Sequence, residues 1–348
     1  MKRLRFLKLS RVELTGGYIY RQGSNLRYVW EDSGVLAKLK ILDLSYSYSL
    51  KQSPDFSTIP NLKELVLESY WQLAEVHQSI GGLKRLSLVN FRGCKILEEL
   101  PRSFYNLKSI VTLVLDGCKR FEKLDQEIGD MTSLSTLRAN CTALPSSIVR
   151  LKNLKCLSLL RWSSFREIMR ITSKSLLSTP NFPNLNLPPS VQGLSSLVDL
   201  SINGCIITNV TKDLGSLSSL ESLDIRHCYL QNLPSLSGLS QLVYLRLLDC
   251  NLTDELIKVM DLGSLSSLKL LRLDDNSFSN LTSLRSLSKL VNLSLRSCKN
   301  LVAIPDLPTS LKNLCSSNCT ALEIMPDFSD MSHMRQMFLK YKQMCQSR

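Results

Sequence analysis

Eleven cysteines and three histidines are the side chains of this 348-residue chain that could act as nucleophiles, redox groups or metal ligands. Seven cysteines share one setting, eight residues after a Leu or Ile that opens the pattern L-x-x-L-x-L-x-x-C: Cys94, Cys118, Cys205, Cys228, Cys250, Cys298 and Cys319. Neighbouring members are at least 21 residues apart, unlike the C-x-x-C pairs of zinc sites. A thiol that recurs at one position of an apolar pattern indicates a small buried side chain with a structural role.

Other residue patterns that support catalysis are missing from the sequence. His77, His227 and His333 fall in widely separated parts of the chain, and neither G-x-G-x-x-G nor G-x-x-x-x-G-K-[S/T] occurs. The carboxylate pairs Glu98–Glu99 and Asp274–Asp275 fall at turns of the repeating pattern, where charged side chains are solvated. We therefore expect no catalytic residue, no cofactor and no metal ion, and we predict that the chain is not an enzyme.

The cysteine pattern belongs to a leucine frame that runs along almost the whole chain. The frame is the leucine-rich repeat, in which a short strand precedes a turn made at an Asn or Cys. Its opening residues are Leu4, Leu26, Leu39, Leu62, Leu86, Ile110, Leu134, Leu154, Leu197, Leu220, Leu242, Leu268, Leu290, Leu311 and Met334. Two steps are irregular, 13 residues from Leu26 to Leu39 and 43 residues from Leu154 to Leu197. We predict one domain, residues 1–348, of about fourteen repeats with an irregular insertion at 160–190, and we interpret the short step as a deletion of about one coil.

The frame predicts an α/β repeat solenoid, a horseshoe with a parallel concave sheet and an irregular or 3₁₀ convex side. In the copy that opens at Leu62, alternation along the strand points Leu65 and Leu67 inward and Glu64 and Glu68 to the concave face. The return side repeats an apolar pair followed by Pro, as in Leu230-x-x-Leu233-Pro234. Because proline has no amide donor, this side should not form a second long strand.

Charge and hydropathy limit the classes of partner. The net charge is +13, but residues 41–330 hold 30 basic and 27 acidic side chains, so most of the excess lies at the two ends. Strand positions three, five and seven carry six arginines and seven acids, a mixed face that lacks the single sign needed to follow a phosphate backbone. No apolar run reaches the roughly 20 residues of a membrane helix. We expect protein partners, with no nucleic acid and no membrane.

A protein-binding site is predicted on the concave face near the C-terminus. Four successive copies carry an arginine near the strand centre, and these arginines are expected to form a stripe with neighbouring apolar side chains: Arg226, Tyr244, Arg246, Leu248, Leu270, Arg272 and Arg296. Nearby aspartates such as Asp224 and Asp274 could instead neutralise the stripe as ordinary surface charge. An acidic patch of Asp43, Glu64 and Glu68 is the alternative location.

The insertion is a secondary candidate for binding. Trp162, Phe165 and Arg166 open a basic, apolar stretch that continues into a proline-rich stretch. Long irregular loops in compact arrays are uncommon and often functional, so this segment is either a flap that contacts a ligand or a tolerated insertion.

Short sequence motifs between the frame leucines resemble those of a known protein family. They include Leu39-Lys-Ile-Leu-Asp-Leu-Ser45, Val76-His-Gln-Ser-Ile-Gly81, Leu115-Asp-Gly-Cys-Lys119, Leu144-Pro-Ser-Ser-Ile148 and Ile304-Pro-Asp-Leu-Pro-Thr-Ser-Leu311. In these motifs the chain resembles the repeat region of plant intracellular immune receptors of the TIR, nucleotide-binding, leucine-rich-repeat class. The resemblance covers most of the chain apart from residues 160–190.

The resemblance implies a disease-resistance function without the receptor's other modules. It implies a recognition module in the cytoplasm, with the nucleus as a second location, that senses a pathogen effector or a guarded host protein and regulates defence signalling with a TIR domain and a nucleotide-binding domain. Neither module is found in this sequence, so the alternatives are a truncated receptor fragment or a generic repeat scaffold. A secreted repeat receptor is less favoured because the start of the chain lacks the apolar stretch of a signal peptide.

Overall fold

A computed structural model describes residues 5–8, 35–46, 53–160, 184–207, 213–329, 331 and 334–338. Contacts between Cα atoms divide the chain into two compact units, Met1–Thr179 and Pro180–Arg348. Each unit is a stack of coils, and each coil contributes a short strand to a parallel sheet. The division into repeats of one continuous domain remains a prediction.

In the described part of the first unit, the sheet contains strands that follow chain order. They are β1 (Phe6–Lys8), β2 (Ile41–Asp43), β3 (Glu64–Val66), β4 (Leu88–Asn90), β5 (Thr112–Leu115), β6 (Thr136–Ala139) and β7 (Cys156–Leu160). Each strand pairs in parallel with the next. The register joins equivalent frame positions, so that Leu42, Leu65, Val89, Leu113 and Leu137 stand in one row and are all fully buried.

The second unit repeats this arrangement and adds a small second sheet. Its main strands are β8 (Asp199–Asn203), β10 (Ser222–Arg226), β12 (Tyr244–Leu248), β13 (Leu270–Arg272), β14 (Asn292–Ser294), β15 (Asn313–Cys315) and β16 (Gln336–Phe338). The second sheet pairs β9 (Ile206–Ile207) with β11 (Tyr229–Leu230), immediately after the turn of each coil. The predicted leucine-rich-repeat solenoid with a parallel sheet is confirmed.

The first strand at the start of the chain pairs with the strand of the third frame copy. The frame orders the copies as Leu4, Leu26 and Leu39, but β1 pairs directly with β2, with Phe6 opposite Ile41. The coils of the first and third copies are therefore adjacent in the sheet. The Leu26 copy lies outside the described residues.

A left-handed backbone turn follows the strand at position eight of the frame. Ten of the twelve described residues with positive φ occupy it: Tyr46, Ser69, Gly93, Gly117, Gly204, His227, Asp249, Asp275, Ser297 and Asn318. The turned residue donates its backbone N–H to the carbonyl at position seven of the following coil, as Gly93 does to Asp116 at 2.7 Å. Glycine, Asn and Asp tolerate this conformation best, whereas it is uncommon for Tyr and Ser.

The seven ladder cysteines lie buried directly after this turn, as predicted. Six of the seven thiols donate to backbone carbonyls of the preceding coil, as in Cys94 to Leu67 at 3.2 Å and Cys118 to Phe91 at 3.1 Å. The ten cysteines in the described ranges are free, and the Sγ atoms of Cys205 and Cys228 are 3.5 Å apart. Burial in these sites raises the pKa of the Cys298 thiol to about 12. These cysteines therefore act as weak donors that close the gap between coils.

Asn276 replaces cysteine in one coil and makes stronger bonds. Its Nδ2 donates to Leu247 at 2.8 Å and Leu273 at 2.9 Å, and its Oδ1 accepts from the backbone N–H groups of Cys250 and Leu252. The sequence pattern allows Asn or Cys at position nine, and Asn276 occupies that position in the copy that opens at Leu268, but it was not predicted as a member of the ladder.

The return side is built mainly from single 3₁₀ turns, which confirms the predicted irregular convex side. They span Gln78–Gly82, Gln126–Asp130, Ser146–Arg150, Leu214–Ser216 and Leu262–Ser264. Two short helices also lie on this side: α1 (Arg102–Tyr105) takes the place of a 3₁₀ turn in its coil, and α2 (Asp254–Met260) precedes the Leu262–Ser264 turn in the same coil. The α2 helix was not predicted, although Thr253 caps it and two acids occupy its first turn, which favour a helix start.

The predicted end of the insertion, residue 190, is too late. Asn184 pairs with Ile206, Leu185 is 3% exposed, and the Ser190 hydroxyl donates to Asp213. Residues 184–190 are therefore packed against the next coil. Trp162, Phe165 and Arg166 lie outside the described residues, so their binding role stays a prediction.

Truncating a fully buried leucine in the middle of a unit should destabilise the fold strongly. We expect Leu113→Ala and Leu245→Ala each to lower the free energy of unfolding by about 2–5 kcal/mol, because both side chains are 0% exposed and leave cavities. Urea denaturation measures the effect. Val111→Ala is the matched control, since that valine is 43% exposed. Equal effects of the buried and exposed changes would contradict the stacked core.

The left-handed turn provides a second stability prediction. Gly117 has φ of +73°, and an added Cβ would meet only atoms at 3.5 Å, so strain in Gly117→Ala comes from the backbone alone. We expect a loss of about 1–2 kcal/mol in unfolding free energy. Gly82→Ala is the matched control, because nothing lies within 4 Å of its added Cβ. A neutral Gly117→Ala variant would show that this turn is not required.

Candidate functional site

The open face of the second unit's sheet is formed by positions three, five and seven of each coil. The residues between them face the core, since Leu223, Leu245 and Leu271 are fully buried. Strand alternation therefore directs the intervening side chains outward. We call this surface the open face.

Four predicted site residues meet in a compact group on β12 and β13. Tyr244 is the register partner of Leu270, and Arg246 is the register partner of Arg272. Because neighbouring strands are about 4.8 Å apart, these four side chains form the corners of one small area, the β12–β13 patch. Tyr244 is 42% exposed, and the Arg246 guanidinium carbon lies 5.4 Å from the centroid of the Tyr244 ring. The patch combines an exposed aromatic, an aliphatic side chain and two cations.

The arginines of the open face differ in how far they are neutralised. Arg226 donates from Nε and Nη2 to the two carboxylate oxygens of Asp224, both at 2.7 Å. Arg272 donates to one oxygen of Asp274, at 3.1 Å from Nε and 2.6 Å from Nη2. In the part of the chain that the structure describes, Arg246 has no carboxylate within 4.0 Å. Arg246 is therefore the least compensated cation of the patch.

The predicted stripe of four arginines is not a single row. Arg246 and Arg272 occupy position five, opposite Asp224 on one side and Ser294 on the other. Arg226 occupies position seven and pairs in register with Leu248. Arg296 also occupies position seven, two residues after Ser294. The four arginines therefore form two pairs in different columns, because a shift of two residues along a strand keeps the face but moves about 7 Å along it.

Arg296 contacts a cysteine that the sequence analysis did not single out. Its Nε donates to the Sγ of Cys315 at 2.9 Å. Burial alone would raise the pKa of the Cys315 thiol, but the backbone N–H of Ser317 and the Arg296 guanidinium hold that pKa below its ordinary value. Cys315 is at position five rather than nine, and that displacement was the available sequence signal.

Acidic residues gather at the turn that borders the open face. The Nδ1 of His227 is 3.0 Å from the Oδ2 of Asp249. Burial, with Asp249 and Asp274 nearby, raises the pKa of Asp275. These carboxylates belong to position eight or to an existing ion pair, so they do not neutralise Arg246.

The other histidine that the structure describes forms a cap rather than a relay. The Nδ1 of His77 is 2.7 Å from the Ser79 hydroxyl and 3.7 Å from Asp55. Because Ser79 and Asp55 both approach Nδ1, the ring cannot pass a proton from one nitrogen to the other between them. Across the described residues, no group of three His, Cys, Asp or Glu side chains has metal-binding geometry.

The alternative acidic patch lies in the first unit on two neighbouring strands, and its three acids occupy three different columns, positions three, five and seven. Asp43 is opposite Val66, whereas Glu64 is opposite Ile41. Asp43 accepts from the backbone N–H and hydroxyl of Ser45, at 3.0 and 2.6 Å, and Glu68 is 3.9 Å from the Arg92 guanidinium. All three acids are half-buried, and Asp43 and Glu68 have these partners, whereas Glu64 has no hydrogen bond or ion pair from its side chain among the described residues.

Comparison with known sequences agrees with this architecture. Residues 33–177 match the family model described as a leucine-rich repeat region. The chain is 31% identical over 286 residues to the TMV resistance protein N of Nicotiana glutinosa, which covers 65% of this chain and 25% of that protein. It is 34% identical over 245 residues to the disease resistance protein RPS6 of Arabidopsis thaliana, covering 62% of this chain and 19% of that one.

Solved structures share the fold at low sequence identity. A TDR receptor superposes with a TM-score of 0.56 at 18% identity, covering 87% of this chain and 59% of the receptor. The leucine-rich-repeat protein LIC12759 of Leptospira interrogans superposes with a TM-score of 0.53 at 22% identity, covering 86% and 83% of the two chains. At this identity these likenesses concern the fold alone.

The chain matches only part of the length of its longer relatives. It spans about a quarter or less of the length of the two resistance proteins. No helix within the described ranges is long and apolar enough to cross a membrane. The leucine-rich-repeat fold is a scaffold for protein interaction. The chain is therefore a leucine-rich-repeat solenoid, and the repeat regions that it resembles are those of plant disease resistance proteins.

Proposed function

We propose that the chain is the protein-recognition module of a plant innate immune receptor and binds its partners through the open face of the second unit. The β12–β13 patch is the observation that carries this proposal. It exposes Tyr244 beside Arg246, and tyrosine and arginine are the residue types most enriched among side chains that dominate interface energy. Leu248 and Leu270, both half-buried, add apolar area around them.

The partners in this proposal are proteins of two kinds. One is a pathogen effector or a host protein guarded by the receptor, and its binding regulates defence signalling. The other is a nucleotide-binding domain and a TIR domain in a longer receptor, of which a chain this size would form a fraction. Free ladder thiols suit a reducing compartment, so we place the module in the cytoplasm, with the nucleus as a second location.

The competing function is that of a generic scaffold or receptor fragment. It predicts a different dependence of partner binding on infection. A scaffold would retain its partners irrespective of infection. An immune recognition module requires a partner that binds through the open face, either an effector found only in infected tissue or a guarded host protein whose association changes on infection. The two therefore differ in what is captured from healthy and infected tissue.

Removing the exposed charge and ring of the patch should weaken capture of the specific partner. We expect the Tyr244→Ala, Arg246→Ala double variant to reduce its recovery from infected leaf tissue by at least about fivefold, as for other interface hot spots. Quantitative mass spectrometry of captured proteins measures the change, and far-ultraviolet circular dichroism checks folding. Arg285→Ala is the control, because Arg285 is exposed and outside the strands.

Two results would count against this function. Equal capture by the patch variant and the control would move the binding face elsewhere in the chain. Identical partners from healthy and infected tissue would favour the scaffold.

A further inference from the structure

Within the β12–β13 patch, Arg246 is the cation for which the described residues supply no carboxylate partner. Both carboxylate oxygens of Asp224 accept from Arg226. One oxygen of Asp274 accepts from Arg272, and the other accepts the backbone N–H of Arg296 at 3.0 Å. The carboxylates next to the patch are therefore committed, and the Arg246 guanidinium keeps its donors for an external group.

Arg272 adds a second donor beside Arg246. The two residues are register partners on neighbouring strands, so their side chains start about 4.8 Å apart. Arg272 uses Nε and Nη2 for Asp274 and keeps Nη1 free of that contact. Planar guanidinium groups suit carboxylates, which accept several N–H donors at once. Two arginines with one compensating aspartate leave net positive charge that a single carboxylate would neutralise.

The other half of the patch is apolar and lies at a fixed distance from these donors. Tyr244 precedes Arg246 by two residues, and Leu270 precedes Arg272 by two residues. Residues i and i+2 of an extended strand are about 7 Å apart on the same face. An extended partner segment that runs along the strands would have the same spacing between its own i and i+2 side chains.

We propose that the β12–β13 patch binds an extended acidic segment of a partner protein. A carboxylate of that segment lies between Arg246 and Arg272, and a large apolar side chain two residues away packs on Tyr244 and Leu270. This inference rests on the proposed function and specifies the chemistry of its partner. The recognised element is an Asp or Glu two positions from an aromatic or aliphatic residue.

The borders of the patch are consistent with access from solvent. On the far side of β13, the register partners of Leu270 and Arg272 are Asn292 and Ser294, which are short polar residues. On the other side, Ser222 is opposite Tyr244, and the carboxylate of Asp224 opposite Arg246 is already neutralised. Short neighbours leave the longer arginine and tyrosine side chains free to contact a docked backbone.

A displayed library of random peptides tests this chemistry without knowledge of the natural partner. Selection on the intact chain should enrich peptides with an acid two positions from a large apolar residue. Arg246→Gln should weaken binding of the selected peptides by at least about fivefold. Their affinity should also fall as salt concentration rises, since the contact is partly exposed.

Charge reversal gives a readout that misfolding cannot imitate. Selection on the Arg246→Glu, Arg272→Glu variant should enrich peptides with Lys or Arg in place of the acid, because the patch then has the opposite sign. The Arg285→Glu variant, changed at an exposed site outside the strands, should still select acidic peptides. Acidic enrichment on the charge-reversed patch would overturn the inference.

The selected peptides also separate this inference from the proposed function. Peptides that lose binding on Tyr244→Ala and Leu270→Ser but contain no acid would overturn the acidic-segment inference and leave the recognition face intact. Peptides that bind every patch variant equally would contradict both proposals.

Discussion

Contact between successive coils depends on one recurring arrangement of the backbone just after each strand. Position eight takes a left-handed conformation and donates its N–H to the next coil, while the side chain at position nine donates to a carbonyl of the preceding coil. Buried carbonyl and N–H groups that lacked these partners would cost about 1–3 kcal/mol each. The arrangement therefore holds neighbouring strands in register, and all placement of side chains on the sheet follows from that register.

The candidate site is a consequence of this register rather than of a special loop. Because equivalent positions stand opposite one another, Arg246 and Arg272 become neighbours although 26 residues separate them in the chain. The same geometry places aspartates two residues from Arg226 and Arg272, where they neutralise those side chains. Tyr244 and Arg246 remain available because their coil has Leu248, not an acid, at position seven. Variation at three positions per coil thus changes the chemistry of the face without changing the fold.

The repeat frame predicted the strands, the buried thiols and the return-side turns because each depends on local pattern. It could not predict which arginines are free, since that depends on side-chain ion pairs such as Arg226 with Asp224, whereas the distinction between positions five and seven could have been counted from the frame. The predicted insertion boundary was wrong because Leu185 packs as a buried residue although its surroundings are proline-rich and irregular.

A disulfide engineered across the patch tests the register most directly. Register partners on neighbouring strands bring Cα atoms within the 4.4–6.8 Å range of disulfides, whereas strands two apart are about 9.6 Å from each other. The Arg246→Cys, Arg272→Cys pair should therefore form a disulfide under mild oxidation, as detected by peptide mapping. The Arg246→Cys, Ser294→Cys pair should not, because β13 lies between those residues. A disulfide in the second pair and none in the first would contradict the register on which the patch depends.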